Sequence, residues 1–235
     1  LYGATKLCAE KIFIQGNVYS KKQSARFSCV RYGNVIGSRG SVIPLFLKQR
    51  TTGKITVTDP RMTRFWITLD EAVELVLKGL RHMQGGEIFV PKIPSMKITD
   101  LAKAVAPDCE VEFIGIRPGE KLHEVLTTEE EGRSTLDYEG MFVITPHREW
   151  WKQRNYKTAI PVPEGCVYAS NNHRHILGVD ELKQILHAEL EDRRPFEIKR
   201  EAPTPNKTNQ QRTSTPQLPA RAPLRRHEDV TRCTT

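Results

Sequence analysis

The sequence predicts an α/β fold, and three observations carry that prediction. Short apolar runs alternate with amphipathic segments from residue 1 to residue 114, the pattern of strands separated by helices. Residues 68–82 open on Thr68-Leu69-Asp70-Glu71, a capping box with Glu three places after Thr, and continue with apolar residues at helical spacing. Strands joined through helices cannot all be hairpin partners, so part of the pairing should be parallel.

Taken in order, residues 1–20 read as a helix, with Leu7, Ile12, Phe13, Ile14 and Val18 apolar and Lys6, Glu10, Lys11 and Gln15 polar. Residues 26–31 form a short strand, at whose end Asn34 is expected. The chain then turns through Gly33 into a loop over 34–41 punctuated by Gly37 and Gly40. A short helix is expected at 42–49 and a strand at 54–58. In the helix 68–82, Ala72, Val73, Leu75, Val76, Leu77 and Leu80 make the expected buried face, and Gly85-Gly86 ends the segment. A strand at 87–90, a helix at 99–105 capped by Thr99 and a strand at 109–114 follow. Beyond Gly132 the pattern thins to a strand at 141–145, a loop-rich stretch at 146–165 and a last helix at 179–190. The segment PTPNKTNQQRTSTPQLPARAPLRR buries too little apolar surface to offset its ordering entropy, so 191–235 is expected to be a disordered basic tail.

Composition narrows the function classes. The 235 residues are 38% hydrophobic and 27% charged, enough for one sizeable core or two small ones. No run approaches the ~18 consecutive apolar residues of a membrane helix, and no basic-then-apolar signal segment opens the sequence. The first residue is Leu and the second already belongs to a motif, so a preceding segment is expected. Five scattered cysteines form no CxxC pair and have no His at ligand spacing. Neither a metal site nor a disulfide framework is expected, and a reducing cytoplasm fits. The net charge is +8, but ten Lys/Arg against six Asp/Glu place half of that excess after residue 190. Nucleic-acid binding is therefore not expected, while a basic body suits a ligand carrying a diphosphate.

Tyr2 and Lys6 stand four residues apart on the first helix, which puts their Cβ atoms about 5–6 Å apart on one face. A phenol of pKa ~10 is a poor base at neutral pH, and a neighbouring ammonium favours its phenolate. Such a Tyr can take a proton from a sugar hydroxyl as hydride leaves the carbon. Alone, the spacing is weak evidence.

Its context is stronger. Tyr2-Gly-Ala-Thr-Lys6-Leu-Cys-Ala-Glu10 is followed by Val30-Arg-Tyr-Gly-Asn34-Val-Ile-Gly-Ser-Arg-Gly40-Ser-Val-Ile-Pro44 and by Asp59-Pro-Arg-Met-Thr-Arg-Phe-Trp-Ile67. Then come Gly86-Glu-Ile-Phe-Val-Pro-Lys-Ile-Pro-Ser-Met96, Thr99-Asp-Leu-Ala-Lys103 and Ile114-Gly-Ile-Arg-Pro-Gly-Glu-Lys-Leu-His-Glu124. In this order the motifs resemble the extended short-chain dehydrogenase/reductase family. Within it they are most similar to the UDP-N-acetylglucosamine 4,6-dehydratases that invert C5 in pseudaminic acid biosynthesis.

The resemblance implies the carboxy-terminal part of a Rossmann-like fold. Residues 1–35 would be a remnant of the dinucleotide-binding domain. Residues 36–190 would mainly form a small α/β nucleotide-sugar domain, with some segments returning to the Rossmann sheet. It further implies Tyr2 and Lys6 as the catalytic pair, and Tyr2, Lys6, Tyr32, Gly33 and Val35 as contacts to NADP (or NAD). Asn34, Ser41, Val42, Arg64, Arg117 and Glu120 would contact the UDP-sugar. Two of these assignments also have a direct chemical reading: Arg64 and Arg117 offer planar guanidinium forks to phosphate oxygens, and the helix opening at Ser41-Val42 offers free N–H groups to an anion. A homo-oligomer is expected from the same family. His123 is read as a hydrogen-bonded structural residue, Met62, Phe65 and Trp66 as core and pocket wall, and 171–175 as a surface loop without a metal. No GxGxxG follows a strand, and the family's Ser/Thr beside the tyrosine and its Asp-Lys elimination pair are missing, so the chain alone is expected to be inactive.

Overall fold

The computed structural model of the chain describes residues 2–20, 25–38, 40–146, 151, 155–172 and 174–192. The expected disordered tail beyond Asp192 lies outside the described residues. An 18-residue helix, α1 (Tyr2–Tyr19), leads to two very short strands, β1 (Cys29–Val30) and β2 (Asn34–Val35). Next come α2 (Val42–Arg50), β3 (Lys54–Val57), β4 (Thr63–Ile67), α3 (Leu69–His82), β5 (Ile88–Pro91) and β6 (Ser95–Lys97). Then follow α4 (Ile98–Val105), β7 (Glu110–Phe113), β8 (Val125–Thr127), α5 (Glu129–Gly132), β9 (Thr135–Tyr138) and β10 (Met141–Ile144). The last elements are β11 (Ile160–Pro161), β12 (Tyr168–Ala169), β13 (Ile176–Leu177) and α6 (Val179–Asp192). No described helix is long and apolar enough to cross a membrane.

Parallel pairing is present, as the alternation of strands and helices requires. β1 pairs parallel with β5, β2 with β4, β3 with β7 and β13 with β6. One sheet has the order β1-β5-β10-β9-β11 and a second has β13-β6-β4-β2. Asn34 therefore does not end the first strand. It begins a second one, registered on Trp66, because the chain leaves one sheet after Val30 and joins the other at Asn34. Gly33 stands at that crossing, where a Cβ would lie 2.5 Å from the Phe65 Cβ. No other residue fits without movement of β4.

Three apolar clusters hold these layers. Phe46, Ile55, Trp66, Met96, Leu101 and Leu182 centre the first, which joins α2, β3, α4 and α6. Phe65, Ile67, Ile88 and Val90 centre the second, and Phe89, Met141, Val143 and Tyr156 the third. Glu87 is fully buried and accepts from five donors: the N–H groups of Gln84 and Gly85, the Ser28 hydroxyl, the Trp151 indole and the Tyr156 hydroxyl. Between β9 and β10, Glu139 and Gly140 both have positive φ, 46° and 79°, as a two-residue type I′ hairpin turn requires.

Two helix expectations need correction. Of the expected buried face of α3, only Ala72 and Leu75 are buried; Val73, Val76, Leu77 and Leu80 are 40–62% exposed. The sheet against α3 is short, so it covers a narrow stripe of the helix rather than a wide one. Thr99 does not cap α4 either. The N-cap is Lys97, without a side-chain bond, and the Ile98 N–H donates to the Met62 carbonyl at 3.0 Å. Elsewhere the local signals hold: Thr68 and Glu71 form the reciprocal capping box that opens α3.

Candidate functional site

The site is built where the chain enters the second sheet. Gly37 and Gly40 take positive φ, 64° and 73°, which lets the segment after β2 fold back and present Ser41 as the N-cap of α2. The Ser41 side chain makes no capping bond, and its buried Oγ has no hydrogen-bond partner. On the opposite side, Arg117-Pro118-Gly119-Glu120 forms a turn. The Glu120 N–H donates to the Arg117 carbonyl at 3.0 Å, and Gly119 has φ 81°. Proline second and a positive-φ glycine third are the marks of a type II turn. Glu120 Oε2 also accepts from the Arg117 N–H at 3.3 Å.

Between these segments lies a cavity of about 330 Å³. Its polar side includes Asn34, Ser41, Arg64, Arg117 and Glu120, and its apolar wall includes Val42, Phe46, Met62, Trp66, Met96 and Ile98. Val35 lines it as well. Such a cavity suits a ligand with a flat apolar part and an anionic part: the wall takes the first, and the α2 N-terminus with the arginine takes the second. Seven of the residues singled out in the sequence thus meet in one place. Lys6, Tyr32 and Gly33 do not line the cavity; Lys6 is exposed on α1, and Tyr32 is 39% exposed.

The two arginines differ in what they have left to give. Arg117 is exposed on its turn. Arg64 spends three N–H bonds on backbone carbonyls, those of Thr63 at 2.7 Å, Leu122 at 3.0 Å and Lys121 at 2.8 Å. It also lies 3.9 Å from Glu124 Oε1. Arg64 thus braces residues 121–124 with N–H groups that a bidentate grip on an anion would need. Burial pushes the Glu124 carboxyl up, and the Arg64 charge only partly offsets this.

His123 Nδ1 lies 2.8 Å from Thr63 Oγ1, which in turn lies 2.6 Å from Ser170 Oγ. This is the hydrogen-bonded, structural setting expected of it. Met62, Phe65 and Trp66 are all buried, also as expected. In the 171–175 segment, Asn172 shapes its own turn through the Ala169 N–H and the Val167 carbonyl; His173 lies outside the described residues. Sequence reasoning missed the ion cluster of Glu10, Arg31 and Glu131. The one signal available was an arginine directly after an apolar strand.

Parallel strand pairs flanked by helices, with a cleft where a short strand gives way to a glycine-bearing loop and a helix N-terminus, are the architecture of an open α/β fold. The relatives place the chain in the extended short-chain dehydrogenase/reductase class. A structure from Bacillus thuringiensis, described as the X-ray structure of Pen, is 36% identical and superposes with a TM-score of 0.69 over 80% of this chain and 58% of that one. More particularly, the chain belongs to the polysaccharide biosynthesis protein family, whose pattern matches residues 1–146. It is 43% identical over 195 residues to a UDP-N-acetylglucosamine 4,6-dehydratase (inverting) of Campylobacter jejuni, covering 79% of this chain. It is 36% identical over 194 residues to a UDP-glucose 4-epimerase of Rickettsia akari, covering 78% of this chain and 56% of that protein. The chain spans 58% of the length of the Campylobacter relative.

Proposed function

We propose that this chain forms the nucleotide-sugar side of an NADP-dependent enzyme that dehydrates UDP-N-acetylglucosamine across C5–C6 with inversion at C5, and that by itself it has no turnover. What carries the reading is the meeting of Asn34, Val35, Ser41, Val42, Arg64, Arg117 and Glu120 around one cavity, with a 43% identical inverting dehydratase among the relatives. A reducing cytoplasm and a homo-oligomeric state belong to the same proposal.

In this reading Arg117 grips the diphosphate, Arg64 holds the wall that faces it, and the buried Ser41 hydroxyl with the α2 N–H groups supplies further donors. Glu120 accepts from a ribose hydroxyl, and Asn34 bridges a phosphate and a sugar hydroxyl. Tyr2 removes the proton of the sugar 4-hydroxyl, and Lys6, one turn along α1, favours its phenolate. Once the C4 hydride has left as well, the 4-ketone acidifies the C5 proton, so that water can leave across C5–C6.

Of the residues that would meet NADP, the chain carries those for the nicotinamide end: Tyr2 and Lys6 on one helix, and the Tyr32–Val35 backbone, which Gly33 lets approach β4 closely. It carries no glycine-rich turn for the diphosphate end. When bound, NADP accepts a hydride and returns it, so the net reaction is a dehydration.

Titration of the chain with UDP tests the cavity. Saturable binding is expected, with affinity falling on the order of tenfold or more in Arg117→Ala. The reading fails if UDP does not bind, or if affinity is seen only for polyanions and collapses with salt, as a tail-mediated interaction would. The identity of 36% to a 4-epimerase supports a second reading, epimerisation or dehydration with retention at C5. Proton NMR of the sugar made by the whole enzyme separates the two.

A further inference from the structure

Arg31 has no part in the cavity, yet its guanidinium uses all five of its N–H groups. Nε and Nη2 donate to the Glu10 carboxylate, both at 2.6 Å. Nη1 and Nη2 donate to the Glu131 carboxylate at 2.8 and 2.7 Å, and Nη1 also donates to the Leu126 carbonyl at 3.0 Å. The side chains of Arg31, Glu10 and Glu131 are only 19%, 11% and 17% exposed. Lys11, 3.6 Å from Glu10 and 4.0 Å from Glu131, brings the cluster to two cations against two carboxylates.

Three separate parts of the chain meet on this one group. Glu10 follows Lys6 by one turn and Tyr2 by two on α1. Arg31 directly precedes Tyr32 and the strand that brings Asn34 to the cavity. Glu131 belongs to α5, where it also closes the capping box with Thr128. The far end of α1 is fastened elsewhere, by Asn17, which donates to the Phe27 carbonyl at 2.8 Å and accepts from the Phe27 N–H at 2.9 Å.

Stability alone gives a poor reason for such a cluster, because burying charges is costly and apolar side chains of equal volume often hold a fold as well. What apolar contacts lack is direction. A planar fork gripped by two carboxylates admits one pose, and an ammonium, with three donors on a flexible stem, cannot span both. We propose that Arg31 is a positioning residue, whose guanidinium fixes the pose of α1, and with it the Tyr2–Lys6 pair, against the Tyr32–Val35 segment. This rests on the reading of Tyr2 and Lys6 as the reacting pair.

The test uses the full 235-residue chain with a nitroxide on Cys8, which is exposed on α1, and serine at the other cysteines. Broadening of the Tyr32–Val35 amides by NMR reports the pose of the helix. Amide exchange reports its holding, and a UDP titration is run in parallel. In Arg31→Lys and Arg31→Met the broadening pattern should change. Amides of residues 6–14 should exchange on the order of tenfold faster or more, while those of α4 stay as they were. If Arg31→Met does not fold, Glu10→Leu/Arg31→Met/Glu131→Leu restores an apolar contact, and the changed pattern is expected there too. An unchanged pattern in Arg31→Lys, or in the triple variant, overturns the proposal. Absence of UDP binding by the parent chain instead defeats the cavity reading and leaves the pose measurement standing.

Discussion

Gly33 stands where two stretches of backbone approach closely. A Cβ there would meet the Phe65 Cβ at 2.5 Å and the Phe65 carbonyl oxygen at 2.6 Å, and both belong to β4 rather than to a movable side-chain tip. Gly33→Ala should therefore destabilise the fold by ~1–3 kcal/mol, the usual range for forcing extra volume into a packed interior. Urea unfolding measures it, and a variant with the parent midpoint and slope would contradict the close approach. The same contact explains why a glycine read as a nicotinamide contact also has a packing reason to be there. Arg64 carries the opposite lesson. Its planar guanidinium suggests a phosphate ligand, but three carbonyls occupy it, and two of them come from Lys121 and Leu122, far along the chain.

At the scale of elements, what could be read from the sequence was what local bonds decide. The α3 start is one case: Thr68 and Glu71 satisfy each other's backbone N–H groups. Thr68→Ala should lower stability by ~1 kcal/mol, read as a shift in the denaturation midpoint with helix content retained in the folded state. The buried face of α3 was not legible, since which apolar residues are covered depends on how much sheet lies beneath them. Nor was the α4 cap, because the Met62 carbonyl, from the loop before β4, accepts from the Ile98 N–H. The turn between β9 and β10 uses Glu139-Gly140 in place of the usual Asn-Gly or Asp-Gly, so its signal was faint. The glycine-bearing turn from Gly37 into α2 at Val42 was legible because it is contiguous. The strand that holds Asn34, by contrast, is set by its pairing with β4, and the Glu10–Arg31–Glu131 cluster joins residues far apart in the chain.

The whole molecule shows its charge design most clearly in acid. Burial on its own would raise the Glu131 carboxyl, but hydrogen bonds from Arg31 and the Thr128 N–H, with the charges of Arg31 and Lys11, hold it below its ordinary range. A carboxyl lowered on folding contributes stability that is complete above its unfolded pKa, roughly 4.3, and is lost as pH falls through the folded value. Glu124 runs the other way: burial raises it, so its ionisation weakens the fold as pH climbs from the unfolded value through the folded one. Glu131→Gln should thus flatten the loss of stability below about pH 4.3, measured as unfolding free energy against pH. A slope equal to that of the parent would count against a native Arg31–Glu131 pair.

Glu87 has a consequence of another kind. Both of its oxygens accept, from two backbone N–H groups, two hydroxyls and an indole drawn from residues 28 to 156. Glutamine matches glutamate in size and outline, yet whichever oxygen became its NH2 would face a backbone N–H, that of Gln84 or of Gly85, which has no lone pair to offer. Glu87→Gln should lower the melting temperature by several degrees, as an unmet buried hydrogen bond of ~1–3 kcal/mol does in a chain of this size. To the rest of the protein these two residues are the same shape, so Glu87 is a place where the interior distinguishes its amino acids by polarity alone.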